Sequence, residues 1–456
     1  MQILLVVGVT WAGIAARQGS THPMMWMAGV LFFFLPQVAV VTYCAQLWPL
    51  EGGVYQWAKF AIGPMAGFMS AWNYAFYAVF LVSGVGIQAV TSLAYGLGPK
   101  AAWMADSRPL TFTLDALLFG VILGVNVVGL RLGRWVTHFG TGVMMLVVAT
   151  MLVLLVWHPD ATAAHPHVSP QVPFAFGWPA MTLLTLNLYV KVAFNALSGL
   201  EQVAVFAGET KNAARSVMLS AWIAAPAVVV IYVLMTSSML TYTPSAQIDL
   251  AGPIPQVLAA ALGQSTGVWL GRLMILGLMI FLLASYVLIV AETSRLPMVA
   301  GWDSTLPGWF SRLHPRFGTP VRSLCVIVAI SAVAAVISSM GVGRQEAFQV
   351  LQNSNQINFG IYYCAMFAAP LLAGARFGPK PGFWLLLSAV LGLTVTVTSV
   401  VLTTVPIVQV NSTWGFAGKV ASAALVTNLI GLAVYSRGRR KSRILQDTPT
   451  VFSTTS

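Results

Sequence analysis

The sequence predicts an all-α membrane protein that crosses a bilayer twelve times. Three observations carry this. The chain has 456 residues, of which 58% are hydrophobic and only 7% charged, where soluble domains carry about 25% charged residues. Its mean hydropathy is +0.83. Apolar windows near the roughly 20 residues that cross a hydrocarbon core as helix recur from end to end.

Twelve windows stand out, over 1–16, 24–48, 65–96, 110–130, 136–157, 178–208, 217–241, 267–291, 322–342, 347–374, 382–406 and 416–436. The first, MQILLVVGVTWAGIAA, has no basic leader region and reads as a span rather than a cleaved signal. As a helix it reaches about 24 Å against a core of about 30 Å, so either this helix is short or the true N-terminus lies upstream. The second ends before Gly52-Gly53, a pair suited to shaping the turn that follows. Windows 65–96 and 178–208 exceed the length needed, so they tilt, protrude or break. Asp115 falls within the fourth window. His138, just after Arg131 and Arg134, reads as an interfacial histidine at the inner end of the fifth. The segment 297–320, with Trp302, Trp309, Phe310 and Arg312, reads as lying along the inner leaflet.

The net charge of +12 is no nucleic-acid signal. With the N-terminus inside, sixteen of the twenty-three lysines and arginines fall in cytoplasmic loops and the tail RGRRKSR at 437–443, as the positive-inside rule requires. Both termini are then cytoplasmic, in a plasma or inner membrane. Cys44, Cys325 and Cys364 lie in apolar runs without CxxC spacing and read as small core side chains. No HExxH, Walker loop or GxGxxG is present, and no soluble segment could hold an ATPase. The sequence therefore predicts neither an enzyme nor a primary pump, and no cofactor, metal or nucleic-acid partner.

The most informative stretch is FNALSGLEQVAVFAGETKNAAR at 194–215. An apolar helix is interrupted at Ser198-Gly199, followed by the lone acid Glu201. Opened backbone at membrane depth survives only where it lines a cavity, and transporters use such breaks to grip small zwitterions. The first span enters from inside and the sixth from outside, so two five-helix halves run in opposite senses. Each opens on a helix with small residues mid-span, Gly8 and Gly13 in one and Ser198 and Gly199 in the other. This is the pattern of inverted repeats with broken helices 1 and 6, although small residues also serve helix packing. The expected organisation is a ten-helix core over 1–374 (halves 1–157 and 178–374), two added helices over 375–436, and a basic tail over 437–456.

Three blocks carry a resemblance. They are LFFFLPQVAVVTYCAQLWPLEGGVYQW at 31–57, GLEQVAVFAGETKNAAR at 199–215, and AETSRLPMVAGWDSTLPGWFSRLHPRFGTP at 291–320. The chain resembles the amino acid–polyamine–organocation superfamily of permeases over nearly its whole length. The resemblance implies a five-plus-five inverted repeat and secondary transport driven by protons, sodium or exchange. It also implies a substrate held by the broken helices. That makes Ala12, Gly13 and Ile14, with Phe194, Asn195, Ala196, Ser198 and Gly199, the candidate substrate-binding residues. The chain departs from the family at Gln46, where an acid is usual, and at Asn195, where an aromatic gate is common and Phe194 is the neighbour instead. The glycine cluster of the first helix is reduced to Thr10-Trp11-Ala12-Gly13-Ile14.

Two charges remain to be placed. Glu201 fits two roles: a proton carrier, or a fixed acceptor that caps freed N–H groups and ties helix 6 to broken helix 1. Lys191 lies about 20 Å into the membrane counted from Trp178, or about 12 Å outward counted from Gly199. It could snorkel, or serve as a vestibule charge that selects carboxylates. Asn187, Lys191, Asn195, Ser198 and Gln202 form one polar stripe, which is expected to face the pathway. The leading expectation is thus a symporter or exchanger of amino acids or related amines. The alternative is a transporter-like sensor that binds them without moving them.

Overall fold

The computed structural model describes residues 11–48, 52–156, 174–201, 213–262, 268–294, 306–310, 312–373 and 380–447. These contain helices and no strand. In order they are α1 (Ala12–Ala16), α2 (His22–Gly29), α3 (Leu35–Leu47), α4 (Val54–Ala61), α5 (Pro64–Val82), α6 (Val85–Leu97), α7 (Arg108–Val128), α8 (Leu130–Val156), α9 (Leu183–Leu197), α10 (Ala213–Tyr242), α11 (Pro253–Leu262), α12 (Val268–Thr293), α13 (Val321–Ser339), α14 (Arg344–Leu372), α15 (Phe383–Leu402) and α16 (Thr413–Asp447).

Among the described residues, nine helical stretches are long and apolar enough to cross a membrane. The protein's surface needs lipid: Trp135, Trp178, Trp222, Trp269, Trp384 and Trp414 are all exposed, among many exposed leucines and valines. Such apolar surface exceeds what a soluble monomer tolerates. The protein is a multi-pass membrane protein.

Three interruptions shape the interior. A π-helical turn, Val30–Phe34, joins α2 to α3. It aims Phe33 and Gln37 at the end of α9, where Phe33 meets Phe194 and Gln37 meets Glu201. Ser83-Gly84 divides the long 65–96 window into α5 and α6. There the Asp115 carboxylate accepts the Gly86 N–H at 2.7 Å, satisfying a donor that the new helix start would leave orphaned. The third interruption is at Ser198-Gly199, where α9 ends with Gly199 at φ +110°, a conformation that glycine adopts cheaply.

Helix bounds correct the sequence reading in places. The window at 178–208 becomes helical only at Leu183, with Thr182 Oγ1 accepting the Thr185 N–H as its cap. Counting from Trp178 therefore overstates the depth of Lys191. The ten-residue apolar helix α11 was too short to register as a span. Residues 1–10, including Gly8 and Thr10, and Gln202, Trp302 and the Glu209–Asn212 cluster lie outside the described residues. Gly52 and Gly53 have φ of 102° and 49° just before α4. His138 is exposed. Cys44 is buried, Cys325 exposed and Cys364 half-buried.

One core, running through α2, α3, α9, α10, α12 and α14, holds the bundle together. The last helix is tied on through α5: Trp72 Nε1 donates to the Thr427 carbonyl at 2.9 Å, and Asn73 to Asn428 at 2.8 Å.

Candidate functional site

The end of α9 is the centre of the site. In a continuing helix the Gly199 N–H would bond the Asn195 carbonyl. Here it donates to Glu201 Oε2 at 3.1 Å and to the Tyr363 hydroxyl at 2.8 Å. Gln37 Nε2 reaches the same two atoms, at 3.0 Å and 2.6 Å. The Tyr363 hydroxyl in turn donates to Glu201 Oε2. Glu201 is fully buried, and every one of these partners is a donor, so the carboxylate is held by α3, α14 and its own break. Among the described residues these ties run to α3 and α14; residues 1–10, where a link to broken helix 1 would fall, lie outside the described residues. Glu201 Oε1 has no hydrogen-bond partner among the described residues.

Behind the break lies an aromatic wall. Phe194 packs on Phe33, Phe359 and Tyr363 with ring centroids 5.2–5.6 Å apart. It faces this wall rather than open space, because one residue around the helix from Asn195 is about 100°.

In front of the break is a cavity of about 200 Å³. Its wall includes Gly13, Ile14, Lys191, Asn195, Ala196, Ser198 and Gly199 among the residues read from sequence. Ala12 is buried in the core instead, and Glu201 sits behind the break. The other walls come from α5–α6, α12 and α14, with Tyr77, Tyr286, Gln352 and Phe359. The cavity follows α12 from Leu278 to Glu292, about 21 Å of helix.

Lys191 does not snorkel. Only 1% of it is exposed, and Nζ donates to Asn353 Oδ1 at 2.9 Å and Gln356 Oε1 at 3.3 Å. Asn353 Nδ2 is committed to the Thr403 carbonyl at 2.7 Å, so the amide cannot be turned round and its oxygen must face the lysine. The polar stripe divides. Lys191, Asn195 and Ser198 border the cavity, whereas Asn187 donates to the Val405 carbonyl at 3.0 Å.

The sequence reading passed over α14. Its run Gln349, Gln352-Asn353-Ser354-Asn355-Gln356 and Asn358 is buried throughout. So many buried amides in one apolar window are a visible signal, because each must find a partner. Nor does it bring out the cluster around Asp249 that seats residues 250–255 on the cavity wall. Asp249 is buried, and its carboxylate accepts from Arg344 Nη2 at 3.1 Å, Tyr95 at 3.2 Å, Gln345 at 2.8 Å and the Ala251 N–H at 3.0 Å. Arg17 donates to the carbonyls of Ala246 and Ile248. Residues 248–255 are thereby wedged onto α1, so closely that a Cβ on Gly13 would lie 2.6 Å from that of Pro253.

A family model described as amino acid permease matches residues 1–427. The chain belongs to the amino acid permease family. It is accordingly a transporter and not an enzyme, consistent with the amino acid–polyamine–organocation superfamily. An uncharacterized transporter of Legionella pneumophila is 22% identical over 81% of this chain and 78% of its own. A branched-chain amino acid permease of Bacillus subtilis is 25% identical over 60% of this chain and 58% of its own. A chloroplastic cationic amino acid transporter of Arabidopsis thaliana is 23% identical over 64% and 51%.

Proposed function

We propose that this permease is a secondary active transporter, a symporter or exchanger, that carries amino acids or related amines across the cell membrane by alternating access. The observation that carries the reading is the cavity at the Ser198-Gly199 break. With the Gly199 N–H diverted, the Asn195 carbonyl lacks its helical donor at the negative end of the α9 dipole. That end suits a substrate ammonium group. The wall combines this polar end with Tyr77, Phe359 and Tyr286, which gives apolar cover with a few fixed polar groups.

In this reading residues 1–374 form the five-plus-five inverted repeat, with broken helices 1 and 6, and twelve helices cross the membrane in all. Both termini are cytoplasmic. The Asp249–Arg344 end then faces outward and is closed. Protons or sodium couple uptake, or substrate exchange replaces them. The Bacillus and Arabidopsis relatives, named for branched-chain and cationic amino acids, support an amino-acid substrate without fixing which.

The test is uptake of labelled amino acids by proteoliposomes of the purified protein, with and without proton and sodium gradients. Accumulation or counterflow is expected. Saturable binding with neither would favour an amino-acid sensor instead.

A further inference from the structure

We propose that Lys191 is a fixed positive charge for the side-chain carboxylate of an acidic amino acid whose ammonium group sits at the break. This rests on the transport reading above and names the substrate class for the same cavity. The Lys191 amine is buried on the cavity wall, where Nζ donates to two amide oxygens. Ion pairs among the described residues join Arg344 to Asp249 and Asp106, and Lys419 to Glu346. No described carboxylate lies on Lys191. A buried cation met only by neutral dipoles is costly until an anion arrives.

Distance selects which anion. Lys191 precedes Gly199 by eight residues, about 12 Å along α9. The facing helix gives a second ruler: Gln356, which meets Lys191, precedes Tyr363, which meets Gly199, by seven residues or about 10 Å. The ammonium and carboxylate on one α-carbon lie within about 3 Å of each other. With a contact of about 2.8 Å at each end they bridge only about 9 Å. A side-chain carboxylate two or three carbons further out adds a few ångströms and closes the gap.

One acid shares this wall with Lys191. Glu292 is the one acid on the cavity wall among the described residues. It accepts from Tyr74 at 3.4 Å, and Tyr74 packs on Tyr362 with ring centroids 4.7 Å apart. Tyr362 is six residues beyond Gln356, about 9 Å along α14. A cationic side chain directed at Lys191 would meet a like charge.

The experiment measures binding of glutamate, glutamine, leucine and lysine by calorimetry to the purified full chain, and to Lys191→Gln and Lys191→Arg. Glutamate should bind at least roughly tenfold tighter than glutamine, a modest share of what a buried charge pair can contribute. Lys191→Gln should erase that preference with glutamine binding little changed, and Lys191→Arg should keep it. If Lys191→Gln fails to fold, the wild-type panel with Lys191→Arg decides. Glutamine or leucine bound in preference to glutamate would overturn the proposal and leave amino-acid transport standing. Equal loss of every ligand in Lys191→Gln would also overturn it, assigning Lys191 to holding α9 on α14. Binding of no amino acid at all would overturn both the proposal and the transport reading.

Discussion

The Glu201 carboxylate accepts the backbone N–H of Gly199, two residues earlier, at 3.1 Å. The acid that follows the break is thus the group that stabilises it, with Tyr363 and Gln37 completing the set. Three donors converge on Glu201 Oε2, while Oε1 has no partner among the described residues.

That asymmetry predicts how Glu201 variants behave. Glu201→Gln keeps one carbonyl oxygen for the three donors and places its NH₂ where Oε1 had no partner, so it should fold and retain most uptake. Glu201→Ala strands the donors, at about 1–3 kcal/mol for each left buried and unsatisfied, and should express poorly. Uptake driven by a pH gradient, measured beside counterflow for Glu201→Gln, checks this. Loss of gradient-driven uptake with counterflow intact would make Glu201 the proton carrier instead.

Gly199 is held at φ +110°, which a side chain adopts only at about 1–3 kcal/mol. Gly199→Leu should abolish transport while membrane insertion continues, because most of the inserted apolar surface is untouched. Gly199→Ala should fall between. Normal uptake by the leucine variant would remove the break from the mechanism.

Legibility from sequence followed the physics of each signal. The membrane class and most spans came from long apolar windows, and the Ser198-Gly199 interruption came from composition alone. Glu201 was placed at the break, but its partners were not, since Gln37 and Tyr363 are 164 and 162 residues away and no local pattern encodes such contacts. The partners of Lys191 are hidden from the sequence for a related reason. Depth along α9 does not reveal the amides of α14 that hold it. Phe194 and Ala12 do not line the cavity although their neighbours Asn195 and Gly13 do, for adjacent positions on a helix point to different surroundings. Asp115 carries no role that the sequence shows, because that role depends on a helix break in another segment.

Asp115 supplies a prediction of its own. Its Oδ1 accepts the Gly86 N–H at 2.7 Å where α6 restarts. Asp115→Asn preserves that oxygen and should melt close to wild type in detergent. Asp115→Ala removes it and should lose about 1–2 kcal/mol, the scale of a helix cap. Gly86→Ala should behave like the alanine variant, since a Cβ there meets the carboxylate directly. Equal stability of all three would show that the kink holds without the cap.

The cluster around Asp249 predicts a shift in population. Its carboxylate gathers Arg344 from α14, Tyr95 from α6 and the Ala251 N–H, so residues 248–255 stay seated over the cavity only while these donors converge. Asp249 is buried, but the Arg344 side chain is 18% exposed. Removing the charge should therefore cost less than the 3–5 kcal/mol of a fully buried pair, about 1–3 kcal/mol. Each 1.4 kcal/mol is a tenfold change in an equilibrium, so Asp249→Asn should raise the open population by about fivefold to a hundredfold. Ser92 lines the cavity and is 2% exposed. With Cys44, Cys325 and Cys364 replaced, Ser92→Cys should react with an impermeant thiol reagent from the Asp249 end at least about fivefold faster when Asp249→Asn is added, the same population factor. Exchanging the two charges, Asp249→Arg with Arg344→Asp, should restore slow labelling if the pair itself holds the segment down. Labelling as slow in Asp249→Asn as in its parent would show that the seat is kept by Arg17 and the close packing of Gly13 on Pro253 without the ion pair.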